Sequence, residues 1–245
     1  MPEGPPLLPK LAPLVFGYEG PKANYLFHLS RKFRYIYAET PKVGCTTVKR
    51  ILQLAEVDGD DARTPANPHD RSASPLLQPK DDLDWFIGGL ADESVMTFCF
   101  VRNPYERVLS CYLDKMVKNA FERQRLAPAL GLSGEEPPSF AAFLDRVRSQ
   151  DPARRDIHWA TQADLLRPTR VRYARIGRFE TFSQDLGAVL EELKVPVHRS
   201  IEQRRNETGS ASRLHDFYGP DELAIVRQVY QADFEAFGYG WGLPR

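Results

Sequence analysis

The chain has 245 residues, 42% of them apolar, and its 33 Lys and Arg are matched by 33 Asp and Glu. That length and apolar share suit a single domain with substantial loops and a real core. The zero formal charge lacks the basic excess of a general nucleic-acid binder, and no run approaches the roughly 20 apolar residues that a membrane span requires.

The opening stretch, MPEGPPLLPKLAPLVFG, is broken by prolines and has no basic n-region before an apolar run, so it does not read as a signal peptide. Residues 1–30 are expected to form an arm and residues 31–245 a single domain, with loop insertions near 58–82 and 127–138. Arg34-Tyr-Ile-Tyr-Ala-Glu39 alternates β-formers and predicts a strand. Thr40 to Cys45 is a loop with Pro41 and Gly44, after which Val48, Ile51, Leu52 and Ala55 recur at helical spacing. Pro, Asp, Ser and Asn dominate from Asp58 to Asp82, which predicts a long surface loop able to act as a mobile lid.

Val95-Met-Thr-Phe-Cys-Phe-Val101 is the near-continuous apolar run of a central strand covered on both faces. Pro104 sits where a first helical turn accepts it, and Val108, Leu109, Tyr112 and Met116 follow on one side. Ser139 caps a helix around Phe140–Leu144. Val171–Ile176 predicts a third strand, Phe182–Leu193 a helix, 204–210 a polar loop and Asp221–Phe237 one closing helix. Strands alternating with helices give an α/β fold with a mainly parallel central sheet flanked by helices. Cys45, Cys99 and Cys111 fit neither a disulfide framework nor a paired metal-ligand pattern. The expectation is a soluble, cytoplasmic protein without a metal.

Two segments carry chemistry. Strand, then Thr40-Pro-Lys-Val-Gly-Cys-Thr-Thr47, then helix is a P-loop-like anion trap. A helix start offers unpaired N–H groups and a positive dipole end, Gly44 permits close backbone approach, Lys42 adds a charge, and Thr46 and Thr47 add hydroxyls. It is not a Walker A loop, whose lysine follows the last glycine. An ordinary βα turn with a solvated lysine is the bland alternative. The second segment delivers Arg102 at the carboxyl end of a strand, where open α/β sheets bind ligands, with Ser110 two turns into the next helix. An arginine fork and a hydroxyl suit a phosphate; a capping arginine and a packing serine are the alternatives.

Together they resemble a family. Pro41-Lys-Val-Gly-Cys-Thr-Thr-Val-Lys-Arg50 resembles the 5′-phosphosulfate-binding loop of carbohydrate sulfotransferases, and Phe100-Val-Arg-Asn-Pro-Tyr-Glu-Arg-Val-Leu-Ser-Cys-Tyr-Leu-Asp-Lys115 their 3′-phosphate-binding segment. The resemblance is nearest to the chondroitin and dermatan 4-O-sulfotransferase group. Weaker matches continue in order through Ile157-His-Trp159 with Gln162, Ile176–Glu180, Arg205-Asn206 and Asp233–Tyr239. The resemblance implies the fold of sulfotransferases that use 3′-phosphoadenosine 5′-phosphosulfate (PAPS), with no metal. It implies that Pro41, Lys42, Val43, Gly44, Cys45, Thr46 and Thr47 hold the phosphosulfate, and Arg102 and Ser110 the 3′-phosphate, with Arg205 adding to the nucleotide site. Golgi members carry a membrane anchor and luminal cysteines near the His-Trp region; this sequence shows neither, which fits a soluble, bacterial or otherwise non-Golgi version and leaves the acceptor open.

Sulfuryl transfer requires in-line geometry and stabilisation of the leaving oxygen. Lys42 is expected to donate to that oxygen, and backbone N–H groups from Val43 to Thr47 to the sulfuryl oxygens. The acceptor is a hydroxyl on a glycan or small molecule, and its proton needs a base. His158, beside a Trp159 that could stack on a sugar, is the first candidate; Glu39 is the second, and a satisfied packing histidine the bland reading. Two other functions remain open from sequence: a small-molecule or nucleoside kinase with a non-standard phosphate loop, and a non-catalytic nucleotide-binding protein.

Overall fold

The computed structural model describes residues 20–196 and 213–244. Their packing forms two compact units. The first contains residues 20–40, Gly44–Phe100 and residues 166–196. The second contains Pro41–Val43, Val101–Leu165 and residues 213–244.

The first unit is built on a four-stranded sheet in the order β1 (Phe27–Ser30), β2 (Tyr35–Ala38), β3 (Met96–Val101) and β4 (Arg175–Arg178), of which only the last residue of β3 belongs to the second unit. β1 and β2 are antiparallel, with Phe27 opposite Ala38, whereas β2 and β3 are parallel, with Tyr35 opposite Met96. Helices α1 (Gly20–Leu26), α2 (Cys45–Glu56), α3 (Leu83–Ala91) and α8 (Phe182–Glu192) accompany it. Every residue of β2 and β3 is buried, as a strand covered on both faces requires. Tyr37 stacks on Phe98 at 5.1 Å, and Phe100 packs on Phe182 at 5.2 Å.

The second unit is mainly helical: α4 (Pro104–Tyr112) continuing into a π-turn (Leu113–Lys118), α5 (Ala120–Leu126), α6 (Phe140–Ser149), α9 (Leu214–Phe217), α10 (Pro220–Val229) and α11 (Gln231–Phe237). The short α7 (Gln162–Leu166) ends at the border of the two units. Tyr105, Tyr112, Phe143, Trp159, Val226 and Phe234 form the centre of the second unit's core. Pro104 opens α4 and Ser139 caps α6 by accepting from the Ala142 N–H at 3.2 Å, both as expected.

Several expectations shift. Residues 20–30 are not an arm: α1 and β1 are part of the first unit. Segment 58–82 is bonded down rather than free: Arg71 donates to Asn24 O (3.1 Å) and Phe27 O (2.8 Å), and Leu29 bridges Leu77. The third strand slides to Arg175–Arg178, because Val171 is buried and the Tyr173 hydroxyl bonds Leu166 O at 2.7 Å. The closing helix breaks at Tyr230 (φ −109°), whose hydroxyl donates to Trp159 O at 2.8 Å. Cys45, Cys99 and Cys111 are free thiols. Among the described residues, no helix is long and apolar enough to cross a membrane.

Candidate active site

In the first unit, β2 delivers Glu39 and Thr40, and the chain re-enters at Gly44. Gly44 sits at φ 72° as the N-terminal cap of α2, and no side chain caps that helix start. A Cβ here would lie 2.6 Å from the Phe182 ring, so this turn requires glycine on both counts. The first peptide N–H groups of a helix have no intrahelical acceptor, which keeps an anion-binding end available. Thr46 and Thr47 lie in this turn and are partly exposed; the Cys45 side chain is buried, so its contribution is backbone. Thr46 Oγ1 is 2.9 Å from His69 Nε2.

Beneath this turn lies a buried polar cluster. Lys49 Nζ donates to both Glu39 oxygens (2.9 and 2.8 Å), and His28 Nε2 meets Glu39 Oε2 at 2.9 Å. Burial alone would raise the Glu39 carboxyl, but the Lys49 ammonium and the His28 bond outweigh it and hold the group well below the usual carboxylate range. A carboxylate so stabilised and 1% exposed is a poor proton acceptor, which removes Glu39 as the base. Among the described residues, Glu39, Cys45 and His69 form the only group with metal-ligating atoms within 4.8 Å of one another. Lys49 bonds two of the three, so the protein's own ammonium competes with a cation there.

In the second unit, Lys42 adopts φ 69°, a left-handed conformation that costs a non-glycine residue about 1–2 kcal/mol. Its ammonium donates to Asp114 Oδ2 at 2.9 Å, and the Asp114 carboxyl, which burial would raise, is drawn below its usual value by that lysine. Ser110 is buried one turn before Asp114, so the Lys42 head group reaches the part of the helix that carries Ser110. Arg102 Nη1 reaches Lys42 O at 3.4 Å, and its fork pairs with Glu106 at 3.0 Å. Gln162 fixes the Arg102 backbone from both sides, accepting from its N–H (2.9 Å) and donating to its C=O (2.8 Å). Pro41, Lys42, Arg102 and Ser110 therefore share one unit, with Val43, whose side chain is buried.

The same unit carries His158. Its Nδ1 lies 2.5 Å from Asp156 Oδ1, an arrangement that orients the ring and leaves Nε2 for proton transfer. Burial would raise the Asp156 carboxyl, but the bond to His158 holds it below its usual value. Trp159 is not a sugar platform: it is fully buried, packs edge-on against Phe143 at 6.1 Å and donates to Gln150 Oε1 at 2.9 Å.

Sequence reasoning missed Arg107. It is 1% exposed and donates to Pro41 O (3.0 Å), Ala160 O (2.7 Å) and Ile157 O (3.2 Å). One guanidinium thus joins the Lys42 loop to the segment bearing His158. A signal existed: Arg107 interrupts the face formed by Pro104, Val108, Cys111 and Tyr112, where a solvated arginine has no place. Asp233 was also unassigned. It caps α7 from a distance by accepting from the Gln162 (2.9 Å) and Ala163 (2.8 Å) N–H groups, and burial pushes its carboxyl up to about 6. Arg205 and Asn206 lie outside the described residues.

A model of the sulfotransferase family matches residues 26–240. Human carbohydrate sulfotransferase 14 is 27% identical to the chain, covering 90% of it and 62% of the human protein. Mouse carbohydrate sulfotransferase 11 is 26% identical over 88% of the chain and 68% of its own length, and Xenopus laevis carbohydrate sulfotransferase 10 is 28% identical over 86% and 66%. The chain thus spans somewhat less than two thirds of the first of these relatives. No solved structure matches it.

Proposed function

We propose that this chain, which belongs to the sulfotransferase family, moves a sulfuryl group from PAPS to a hydroxyl of a carbohydrate. The observation that carries the reading is the Arg107 clamp, which holds the Lys42 loop and the His158 segment together within one unit. The carbohydrate acceptor is supported by relatives whose names are those of carbohydrate sulfotransferases. Nothing in the site or the comparisons favours the kinase alternative.

The residues fit a doubly phosphorylated donor. Lys42 and Arg102 are sheltered cations, with 14% and 6% of the side chain exposed, paired with Asp114 and Glu106, carboxylates that a phosphate can replace. Pro41–Thr47 would hold the phosphosulfate, and Arg102 with Ser110 the 3′-phosphate. When bound, PAPS supplies a sulfur whose bond to the bridging oxygen is ready to break. Lys42 donates to that oxygen as negative charge collects on it. His158 Nε2 takes the proton of the acceptor hydroxyl while the new sulfur–oxygen bond forms, and Asp156 stabilises the resulting imidazolium. The products are a sulfate ester and 3′-phosphoadenosine 5′-phosphate, with the acceptor proton on His158.

The test is transfer of label from radioactive PAPS to a panel of glycans, lipids and small alcohols. Label should pass to glycans, and Lys42→Ala should nearly abolish transfer with the fold intact by circular dichroism. Near-normal turnover of that variant would remove Lys42 from the leaving-group role; absence of both transfer and bisphosphate binding in the wild type would end the sulfotransferase reading.

A further inference from the structure

The buried cluster of the first unit dictates where protons sit. Lys49 is fully buried, and besides its two bonds to Glu39 its ammonium lies 2.6 Å from His69 Nδ1. An ammonium has three donors and no acceptor. The ring nitrogen facing it must accept, so Nδ1 is bare and the His69 proton is on Nε2. Nε2 is 2.9 Å from Thr46 Oγ1. The threonine oxygen is therefore the acceptor in that bond, and its own O–H must point elsewhere. Among the described residues, the Thr46 hydroxyl has this hydrogen bond alone.

The same rule operates at His28. The Arg71 guanidinium, also a pure donor, faces His28 Nδ1, so His28 Nε2–H donates to Glu39. Burial, reinforced by Arg71, lowers the His28 pKa to about 3, in keeping with a neutral ring. Glu39 accepts from Lys49 and His28, and a cation on Nδ1, Lys49 for His69 and Arg71 for His28, sets the tautomer of each histidine.

We propose that His69 is a positioning residue that forces Thr46 to act as a hydrogen-bond donor toward the anion held at the start of α2. The inference rests on the donor-binding reading of the 41–47 loop. Its consequence at Thr46 is that the O–H is not spent on His69 and is available to an oxygen with a lone pair, as on a phosphosulfate or an ionised phosphate. Aliphatic replacement at 69 would leave the hydroxyl rotor undirected and Lys49 short of an acceptor.

Binding of 3′-phosphoadenosine 5′-phosphate by calorimetry and the KM for PAPS test this in the full chain. His69→Leu and Thr46→Val should each weaken bisphosphate binding roughly tenfold, the scale of one hydrogen bond to a charged group. The double variant should be no worse than Thr46→Val alone. His69→Gln, whose amide can accept from Lys49 and donate to Thr46, should recover to within about threefold. Nitrogen-15 imidazole spectra of the wild type should show His69 protonated at Nε2. A proton on Nδ1, additive losses in the double variant, or wild-type affinity in His69→Leu beside a weakened Thr46→Val would each overturn the inference while leaving the sulfotransferase reading intact. A wild-type chain that neither binds the bisphosphate nor transfers sulfate would refute the donor reading and this inference with it.

Discussion

Replacing Arg107 separates holding the fold from aligning the site. The side chain is 1% exposed and makes three charge-assisted bonds to carbonyls of Pro41, Ile157 and Ala160. Such bonds contribute about 1.5–3 kcal/mol each, but they are not additive, and removing a buried cation also relieves its desolvation. Arg107→Met should therefore cost about 3–5 kcal/mol, not the simple sum. For a chain of this size roughly 2–4 °C of Tm accompanies each kcal/mol, so a fall of roughly 6–20 °C is expected. Arg107→Lys is the sharper probe. It keeps the charge but lacks the fork, so it satisfies fewer of the three carbonyls and loosens the Lys42 loop from the His158 segment. A misplacement of about 1 Å costs about a hundredfold in rate. The expected result is a kcat lowered about a hundredfold in Arg107→Lys, measured well below its Tm, with a smaller loss of stability than in Arg107→Met. A kcat within threefold of wild type, alongside a lowered Tm, would show that the clamp serves the fold alone.

Three further outcomes follow from the geometry. His158→Ala should lower kcat by about a hundredfold or more if the Asp156-held ring is the base; a loss of only a few-fold in steady-state transfer would return His158 to a packing role. His28, lowered from 6.5 to about 3, stays neutral in the fold where the unfolded chain takes up a proton. Its contribution to stability is thus complete above pH 6.5 and lost as pH falls toward 3, on the order of 5 kcal/mol at most, at about 1.4 kcal/mol per pH unit. Asp233, raised to about 6, acts with the opposite sign because the fold retains a proton the unfolded chain releases. The measurable quantity is therefore the difference between wild-type and His28→Gln denaturation curves across that range, and parallel curves would contradict the assignment. Gly44→Ala combines a left-handed φ of 72° with a Cβ 2.6 Å from the Phe182 ring, and should cost about 2–3 kcal/mol by chemical denaturation. Phe182→Leu in the same chain should restore the steric part; an unchanged Gly44→Ala would mean the turn relaxes freely.

The strand–loop–helix around Lys42 was legible because local physics settles it. Alternation gives way to helical spacing across a loop of Pro41 and Gly44, and the observed elements end within about two residues of the expected ones. The Ser139 cap and the Pro104 helix start are equally local. What sequence did not show are partners far apart in the chain: Arg107 with Ile157, Asp233 with Gln162, Lys49 with His69. β1 escaped notice because Phe-His-Leu-Ser is short and its histidine reads as polar, although His28 is buried against Glu39 and Arg71. Trp159 shows the opposite error. An aromatic beside a candidate base invites a sugar-stacking reading, but only burial distinguishes a platform from a core anchor.

Lys42 is paired with Asp114 at 2.9 Å and Arg102 with Glu106 at 3.0 Å. Leaving sheltered cations unpaired would be costly, so both carboxylates stabilise the fold. Under the proposed function, binding of a phosphosulfate or 3′-phosphate would exchange one anion for another. The gain is the difference between a carboxylate and a more highly charged, multiply accepting group. That difference favours dianionic phosphates over single carboxylates and keeps net affinity below the sum of the new contacts. Gln162 and Arg107 hold the backbones of Arg102 and Pro41 through separate bonds. The cationic head groups can therefore change partners without moving the chain that carries them, and in-line transfer demands that stillness.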